Sequence, residues 1–420
     1  MKKRITVAII GCGNRGCVVY GHHMTESFPD KYQIVALCDI QARVVERQGE
    51  AFSIPAENRF TSEEAFFAEK RADLLVIATQ DKDHVRMTVK GLELGYDILV
   101  EKPLTSSREE CRQLLDAQKK YGGKVLVGHV LRYAPAFRKA EELLRSGVIG
   151  KLITIESLEQ VWFGHYAHSF TRGNWRRSDE TSPMIIAKCC HDFDLLQYYA
   201  GSKCESLSSV GDLTWFKAEN APEGATERCA DCPHIETCPY SAKRIYLDRW
   251  KRRGGNYAFT STAVFTRPIT EEAIWEMLRT SPYGRCVYHC DNNVVDHQLT
   301  TMTFENGVKA TLTMMAFTGS GGRIMRFHGS LGEIILDEEA EYVKLKRFSE
   351  DDQIWKFDEL VTVNAEGHGG GDYALVSELY TTLTDESEAR TSLEASVESH
   401  LMAIAAEESR LAGGERKLVH

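Results

Sequence analysis

The chain has 420 residues, 43% of them hydrophobic, which is enough for a sizeable core and for two or three domains. Its formal net charge of −10 argues against nucleic acid as the main partner, and no run of 18 apolar residues exists to cross a membrane as a helix, so no membrane partner is expected. The opening Met-Lys-Lys-Arg mimics a secretion signal, but only six apolar residues separate it from a glycine loop, so a cytoplasmic protein is expected. Its twelve cysteines then read as reduced thiols, with Cys12, Cys17 and Cys38 packed as small hydrophobes, and not as a disulfide framework.

Residues 5–10, Ile-Thr-Val-Ala-Ile-Ile, read as a buried parallel strand. Gly11-Cys-Gly13-Asn-Arg-Gly16 follows at once. In such a G-x-G-x-x-G loop the first glycine makes the tight turn and the second lets a pyrophosphate touch backbone. The third lets the next helix approach the strand, and the free N–H groups of that helix attract phosphate. A second strand at 33–38 ends in Asp39, 23 residues beyond Gly16, near the spacing at which an acid binds the adenine ribose. A carboxylate there bonds a free 2′-OH and repels a 2′-phosphate, so NAD is expected over NADP, a preference that Arg43 softens. Strands at 72–79, 97–101 and 124–128 alternate with helices, one of them at 84–94 and stopped by Gly95. The pattern predicts a doubly wound parallel sheet, a Rossmann domain over 1–130.

A helix at 133–145, closed by Gly147, leads into strands of alternating polarity at 151–157, 298–304, 309–314, 332–336 and 342–346. The Asn306-Gly307 turn is a hairpin signal. These strands predict one large, open, mostly antiparallel sheet in a C-terminal α+β domain over 131–371. Between about 205 and 293 the pattern is irregular and cysteine-bearing, which reads as an insertion. Helices at 372–383 and 392–411, the second ended by Gly413-Gly414, belong to a C-terminal unit (372–420) that packs back on the core.

Within the insertion, Cys229-x-x-Cys232-x5-Cys238 has a spacing that lets thiolates converge on one metal, and a structural zinc is the candidate. Cys290, Cys204, Cys286 and His234 all remain open as a fourth ligand. An iron–sulfur cluster lacks an obvious fourth cysteine, and three reduced thiols in a folded insertion remain the alternative. A second cluster, Trp162, His165, Tyr166, His168, Arg172, Asn174, Trp175 and Arg176, mixes aromatic faces with polar forks, as a sugar would require. Arg172 and Arg176 also suit a carboxylate, sulfonate or phosphate.

Ala78-Thr79 with His84 downstream, Leu94-Gly95, Glu101-Lys102-Pro103, Arg132-Tyr133, Gly147-Val-Ile-Gly150, His191-Asp-Phe-Asp194 and Ala405-Ala-Glu-Glu-Ser409 fall in one order with the glycine loop. With that set the chain resembles the Gfo/Idh/MocA oxidoreductases, named for glucose–fructose oxidoreductase and inositol dehydrogenase. The resemblance covers most of the chain. It implies a Rossmann domain followed by an α/β domain whose sheet supports the site and a homodimer or homotetramer interface. It also implies that Asn14, Arg15, Thr79, Gln80, His84, Glu101 and Lys102 join Gly11, Gly13, Gly16 and Asp39 around NAD, and that Arg132 and Tyr133 approach the substrate.

In such proteins the lysine after the β-strand points at nicotinamide ribose and substrate hydroxyl, so Lys102 is expected to hold an alkoxide-like oxygen as hydride leaves. His191 is expected to take the hydroxyl proton. The family often places Asp four residues before this His, and here that position is Ala187, beside Lys188. A Lys188 ammonium is expected to keep His191 neutral or to contact substrate itself, and Asp194 to pair internally. His368-Gly-Gly-Gly-Asp372 either faces the site or only opens a helix. The function implied is NAD-dependent oxidation of a hydroxyl on a sugar, sugar derivative or cyclitol. One alternative is an oxidoreductive glycoside hydrolase, which oxidises transiently, eliminates, adds water and returns the hydride. Another is a non-catalytic dinucleotide-binding regulator, which would not need both Lys102 and His191.

Overall fold

The structure is a computed structural model, described over residues 4–264, 268–361, 368–385 and 388–420. Six strands form the first sheet: β1 (Ile5–Ile10), β2 (Tyr32–Cys38), β3 (Arg59–Phe60), β4 (Leu74–Ile77), β5 (Asp97–Val100) and β6 (Val125–Val127). All pair in parallel in the order β3-β2-β1-β4-β5-β6. Alternate side chains enter two cores. Val7, Ile9 and Val76 face one, and Ala8, Ile10 and Ile77 the other. Both faces are therefore buried, which is why these strands are continuously apolar. The strand order reverses between β1 and β4, and in open α/β sheets ligands bind at such a reversal, beyond the carboxyl ends of the strands.

The second sheet holds nine strands: β7 (Leu152–Trp162), β8 (Cys204–Asp212), β9 (His297–Phe304), β10 (Lys309–Thr318), β11 (Gly322–Gly329), β12 (Gly332–Asp337), β13 (Tyr342–Arg347), β14 (Gln353–Lys356) and β15 (Lys417–Leu418). Their order is β14-β13-β12-β11-β7-β10-β9-β8-β15. Only β7 and β10 pair in parallel. Helices Pro135–Arg145, Cys190–Ala200 and Leu393–Leu411 pack on one face. On the other, Leu299 and Val210 stay 44% and 52% exposed, so that face is open there.

β8 corrects the expected start of the insertion: residues 204–212 are a strand paired with β9, and the irregular segment begins only after Asp212. Its Cys-Glu-Ser-Leu-Ser-Ser run has too few apolar positions to announce a strand. No helix among the described residues is long and apolar enough to cross a membrane.

The two C-terminal helices join the sheets. Leu375, Val376 and Leu379 of Gly371–Thr384 enter the core beside β1 and β2, and Tyr32 donates to the Val376 carbonyl at 2.7 Å. Leu393–Leu411 begins at Ser392, whose hydroxyl accepts from Ala395 N–H. From this helix His400 Nε2 accepts the Leu104 N–H at 2.9 Å. A buried fork completes the junction. Arg132, just past β6, donates Nε and Nη2 to the two Asp194 oxygens at 2.7 and 2.6 Å and Nη1 to the Arg390 carbonyl.

The Arg132 and Asp194 side chains are only 3% and 1% exposed, so removing one partner strands the other charge. Asp194→Ala is expected to cost about 3–5 kcal/mol of unfolding free energy in urea titration. A loss under about 1 kcal/mol would show that the fork does not hold the domains together.

Candidate active site

The glycine loop closes over the carboxyl end of β1. Gly11 has φ +89°, and a Cβ there would lie 2.4 Å from the Ala78 carbonyl oxygen. A Cβ on Gly16 would lie 2.1 Å from the Gly11 oxygen. At Gly13 a Cβ would meet nothing within 4 Å, and both Gly13 and Asn14 are exposed. The loop thus has room for a phosphate only at its middle glycine. The Asp39 carboxylate accepts from Cys12 N–H and Gln41 N–H, each at 2.9 Å, which fixes it beside the loop. Thr79 is half-buried and Gln80 exposed past β4. These residues fit a dinucleotide.

Two residues expected at the cofactor are engaged elsewhere. Arg15 turns inward, donating to Glu101 at 2.7 Å, to Tyr20 at 2.8 Å and to Asp372 at 2.9 Å. His84 is buried, with Nδ1 2.7 Å from the Pro103 carbonyl and Nε2 3.3 Å from the Thr79 carbonyl, so it lies between the turns after β4 and β5. Burial would raise the Glu101 pKa, but the Arg15 and Lys102 charges outweigh it and keep the carboxylate ionised.

Lys102 follows β5, and its Nζ donates to the Ala187 carbonyl at 3.2 Å. His191 lies in the first turn of Cys190–Ala200, buried, with no hydrogen-bond partner at Nδ1. Its ring lies 5.6 Å from that of His129 and 6.2 Å from that of His368. Burial, then the Lys102 ammonium, hold its pKa well below the usual range, so the ring is neutral and able to accept a proton. Lys188, which was expected to do this, is not among the largest influences on His191. It pairs with Glu159 of β7 at 3.0 Å, while Arg323 of β11 contacts Glu159 at 2.8 Å and forks onto Asp192 at 2.8 and 3.2 Å. Lys188 acts instead on half-buried His165, whose pKa is lowered by burial first and by Lys188 next.

Several expected substrate groups are internal. Arg132 is spent on Asp194, and buried Tyr133 meets the Thr391 hydroxyl at 3.0 Å. Arg172 is buried, donating to the carbonyls of Arg285 at 2.7 Å and Tyr240 at 2.8 Å. Arg176 forks onto Asp291 at 3.0 and 3.1 Å. His168 bonds the Tyr246 hydroxyl at 2.9 Å and stacks on Tyr283, and Trp175 Nε1 reaches Asp81 at 3.4 Å. Trp162 and His165 stay half-buried.

The expected zinc site is also corrected. Cys229, Cys232, Cys238 and Cys286 line one small cavity, but among the described residues no group of three or more His, Cys, Asp or Glu could hold a metal ion. The Cys229 sulfur accepts from the Arg172 guanidinium at 3.6 Å and from Ala242 N–H at 3.4 Å, so a cation already stands where a metal would. The Cys290 thiol donates to the Cys286 carbonyl at 3.1 Å, and His234 faces the Glu223 carbonyl at 2.8 Å.

Sequence reasoning missed His129, Glu159 and Arg323. His129 had a signal, since it follows the carboxyl end of β6. It is fully buried with neither ring nitrogen hydrogen-bonded.

The family model for the oxidoreductase family's NAD-binding Rossmann fold matches residues 5–129, and that for its C-terminal alpha/beta domain matches 141–416. The chain therefore belongs to the Gfo/Idh/MocA oxidoreductase family. YteT of Bacillus subtilis strain 168 is 24% identical over 390 residues, covering 89% of this chain and 88% of YteT. The 2,7-anhydro-N-acetylneuraminate hydratase of Mediterraneibacter gnavus is 24% identical, covering 50% of this chain and 53% of the hydratase. In fold, the chain superposes on levoglucosan dehydrogenase, solved with NADH and levoglucosan, at TM-score 0.71 and 17% identity, over 99% of this chain and 100% of that one.

Because the Lys102 ammonium opposes the imidazolium, Lys102→Met is expected to raise the His191 pKa, followed by NMR titration of the ring. An unchanged or lower value would show that the two groups do not share a field.

Proposed function

We propose that the protein is an NAD-dependent oxidoreductase acting on a hydroxyl of a sugar, sugar derivative or cyclitol. One observation carries this reading: a lysine ammonium and a neutral, buried histidine stand together beyond the carboxyl end of β5, at the crevice the glycine loop opens. The chemistry that NAD supplies when bound is acceptance of a hydride. Gly11, Gly13, Asn14 and Gly16 would hold its phosphates and Asp39 its adenine ribose, which supports NAD over NADP. His191 takes the hydroxyl proton on a ring nitrogen, and Lys102 holds the oxygen as negative charge develops. Glu159 fixes Lys188, whose charge acts on His165.

A second reading has its own support. His165 is a second neutral imidazole close to Lys188, and transient oxidation followed by elimination, water addition and return of hydride needs another acid–base group. The hydratase relative is named for water chemistry on an anhydro sugar. Glycoside cleavage without NADH accumulation would favour this reading, and NADH formation from free sugars or inositols the first.

We further propose a cytoplasmic homodimer or homotetramer. The open face of the nine-stranded sheet supports the assembly, and twelve free thiols support the compartment. Light scattering is expected to give a multiple of the chain mass, with Leu299→Arg and Val210→Arg together shifting it towards monomer; a monomer in the unaltered protein refutes the assembly.

With any sugar that turns over, Lys102→Met and His191→Asn are each expected to lower kcat by roughly 10²–10⁴-fold while NAD still binds by calorimetry. Turnover within about two-fold of the unaltered enzyme in both variants would reject this mechanism.

A further inference from the structure

The insertion brings a charge to this site that hydride transfer does not require. Residues 243–253 hold six cations, Lys243, Arg244, Arg249, Lys251, Arg252 and Arg253, against the single carboxylate of Asp248, in a chain of net charge −10. That carboxylate pairs with Lys243 at 3.3 Å, and nearby Glu271 pairs with Lys251 at 2.7 Å. Arg249 has no carboxylate partner among the described residues. Arg252 and Arg253 repel it, and the Tyr257 hydroxyl bonds it.

Arg249 is half-buried, with its guanidinium carbon 4.0 Å from the Trp162 ring centroid. Trp162 stacks on Phe259 at 5.9 Å and 11°. Phe259 lies 5.4 Å from His165, which in turn feels Lys188 and Lys102. A path therefore runs from the reacting groups, across two aromatic faces, to an unpaired arginine. Trp162 and Phe259 are both half-buried, so this stack leaves aromatic surface beside which the apolar C–H groups of a pyranose can pack. A planar guanidinium presents two parallel N–H groups to a carboxylate, sulfate or phosphate. An anion placed there also relieves the repulsion among Arg249, Arg252 and Arg253. Arg172 is buried against the Arg285 and Tyr240 carbonyls, and Arg176 already forks onto the Asp291 carboxylate, so Arg249 is the better placed of the three for that anion.

We propose that this site takes an anionic sugar, its ring beside the half-buried Trp162 and Phe259 and its carboxylate, sulfate or phosphate on Arg249, with Arg252 and Arg253 drawing it in. The proposal rests on the sugar-oxidoreductase reading and narrows the substrate class.

The test is calorimetry on the NAD-loaded protein with d-glucuronate, d-galacturonate, glucose 6-phosphate and glucose 6-sulfate, each against its neutral parent sugar, with NADH formation recorded in parallel. The acids are expected to bind about ten-fold or more tightly than the neutral sugars. The gap should close at about 1 M salt, where the screening length falls to about 3 Å. Preference for the uronates identifies a carboxylate, and preference for the 6-esters identifies phosphate or sulfate. Arg249→Met is expected to remove most of the gap, and Arg249→Lys to keep part of it. Equal binding of acids and neutral sugars overturns the proposal, as does a folded Arg249→Met protein that keeps the gap. If Arg249→Met does not fold, a gap that survives both high salt and the exposed pair Arg252→Met and Arg253→Met overturns it too. An Arg249→Met protein that changes assembly mass but not the gap assigns these cations to a subunit contact and overturns it as well. Tight, Arg249-dependent binding of an acid without any NADH would reject the redox reading and leave the anion site standing.

Discussion

A carboxylate buried at the end of β5 sets the terms for everything around it. An ionised carboxylate removed from water costs several kcal/mol unless it is paired and hydrogen-bonded. Glu101 is held by the Arg15 guanidinium, the Tyr20 hydroxyl at 2.6 Å and the Lys102 backbone N–H at 3.1 Å. Arg15 then shares its Nη2 between Tyr20 and Asp372. One buried charge thereby recruits the glycine-loop helix, the strand end and the C-terminal helix Gly371–Thr384. The consequence falls on Lys102. Its backbone is bonded to Glu101 and its ammonium to the Ala187 carbonyl, so a long, flexible side chain is directed into the crevice.

The same economy of charge explains how the chain manages without an aspartate at position 187. There the backbone acts in place of a side chain, since the Ala187 carbonyl receives Lys102. The neighbouring Lys188 could have been a second free cation beside His191. It is instead neutralised by Glu159, within a buried quartet in which Lys188 and Arg323 balance Glu159 and Asp192. His191 is left among an ammonium and two other imidazoles, all of which oppose its protonation. Desolvation and Lys102 then fix its neutral form, which a general base requires.

Backbone constraints were legible in the sequence, and side-chain partnerships were not. Gly11 and Gly16 announce themselves because only glycine fits where a Cβ would strike a carbonyl. The strands of the first sheet announce themselves because both of their faces are buried. β8 stayed hidden because three of its nine residues are serine. The arginines misled for a different reason. Arg132 finds its carboxylate 62 residues away and Arg172 its carbonyl 113 residues away, and nothing local distinguishes such a clamp from an anion receptor. The cysteines misled similarly: Cys229 and Cys232 have metal-ligand spacing, but the cation beside Cys229 is the guanidinium of Arg172.

That arginine also shows how the insertion and the site act as one body. The end of β7 carries Trp162 and the turn after it His165, and a few residues later the chain sends Arg172 into the insertion, where it binds backbone at Tyr240 and Arg285. At its far end the insertion is fastened by Asp296, which accepts the N–H groups of Thr214 and Trp215 at 2.9 and 2.7 Å. Its aromatic Phe259 and cationic Arg249 therefore meet Trp162 on a rigid footing. Lys102 and His191 depend on none of these contacts. Changes in the insertion can thus reshape what lies on Trp162 while the proton and hydride chemistry at β5 stays as it is, which separates the choice of substrate from the reaction itself.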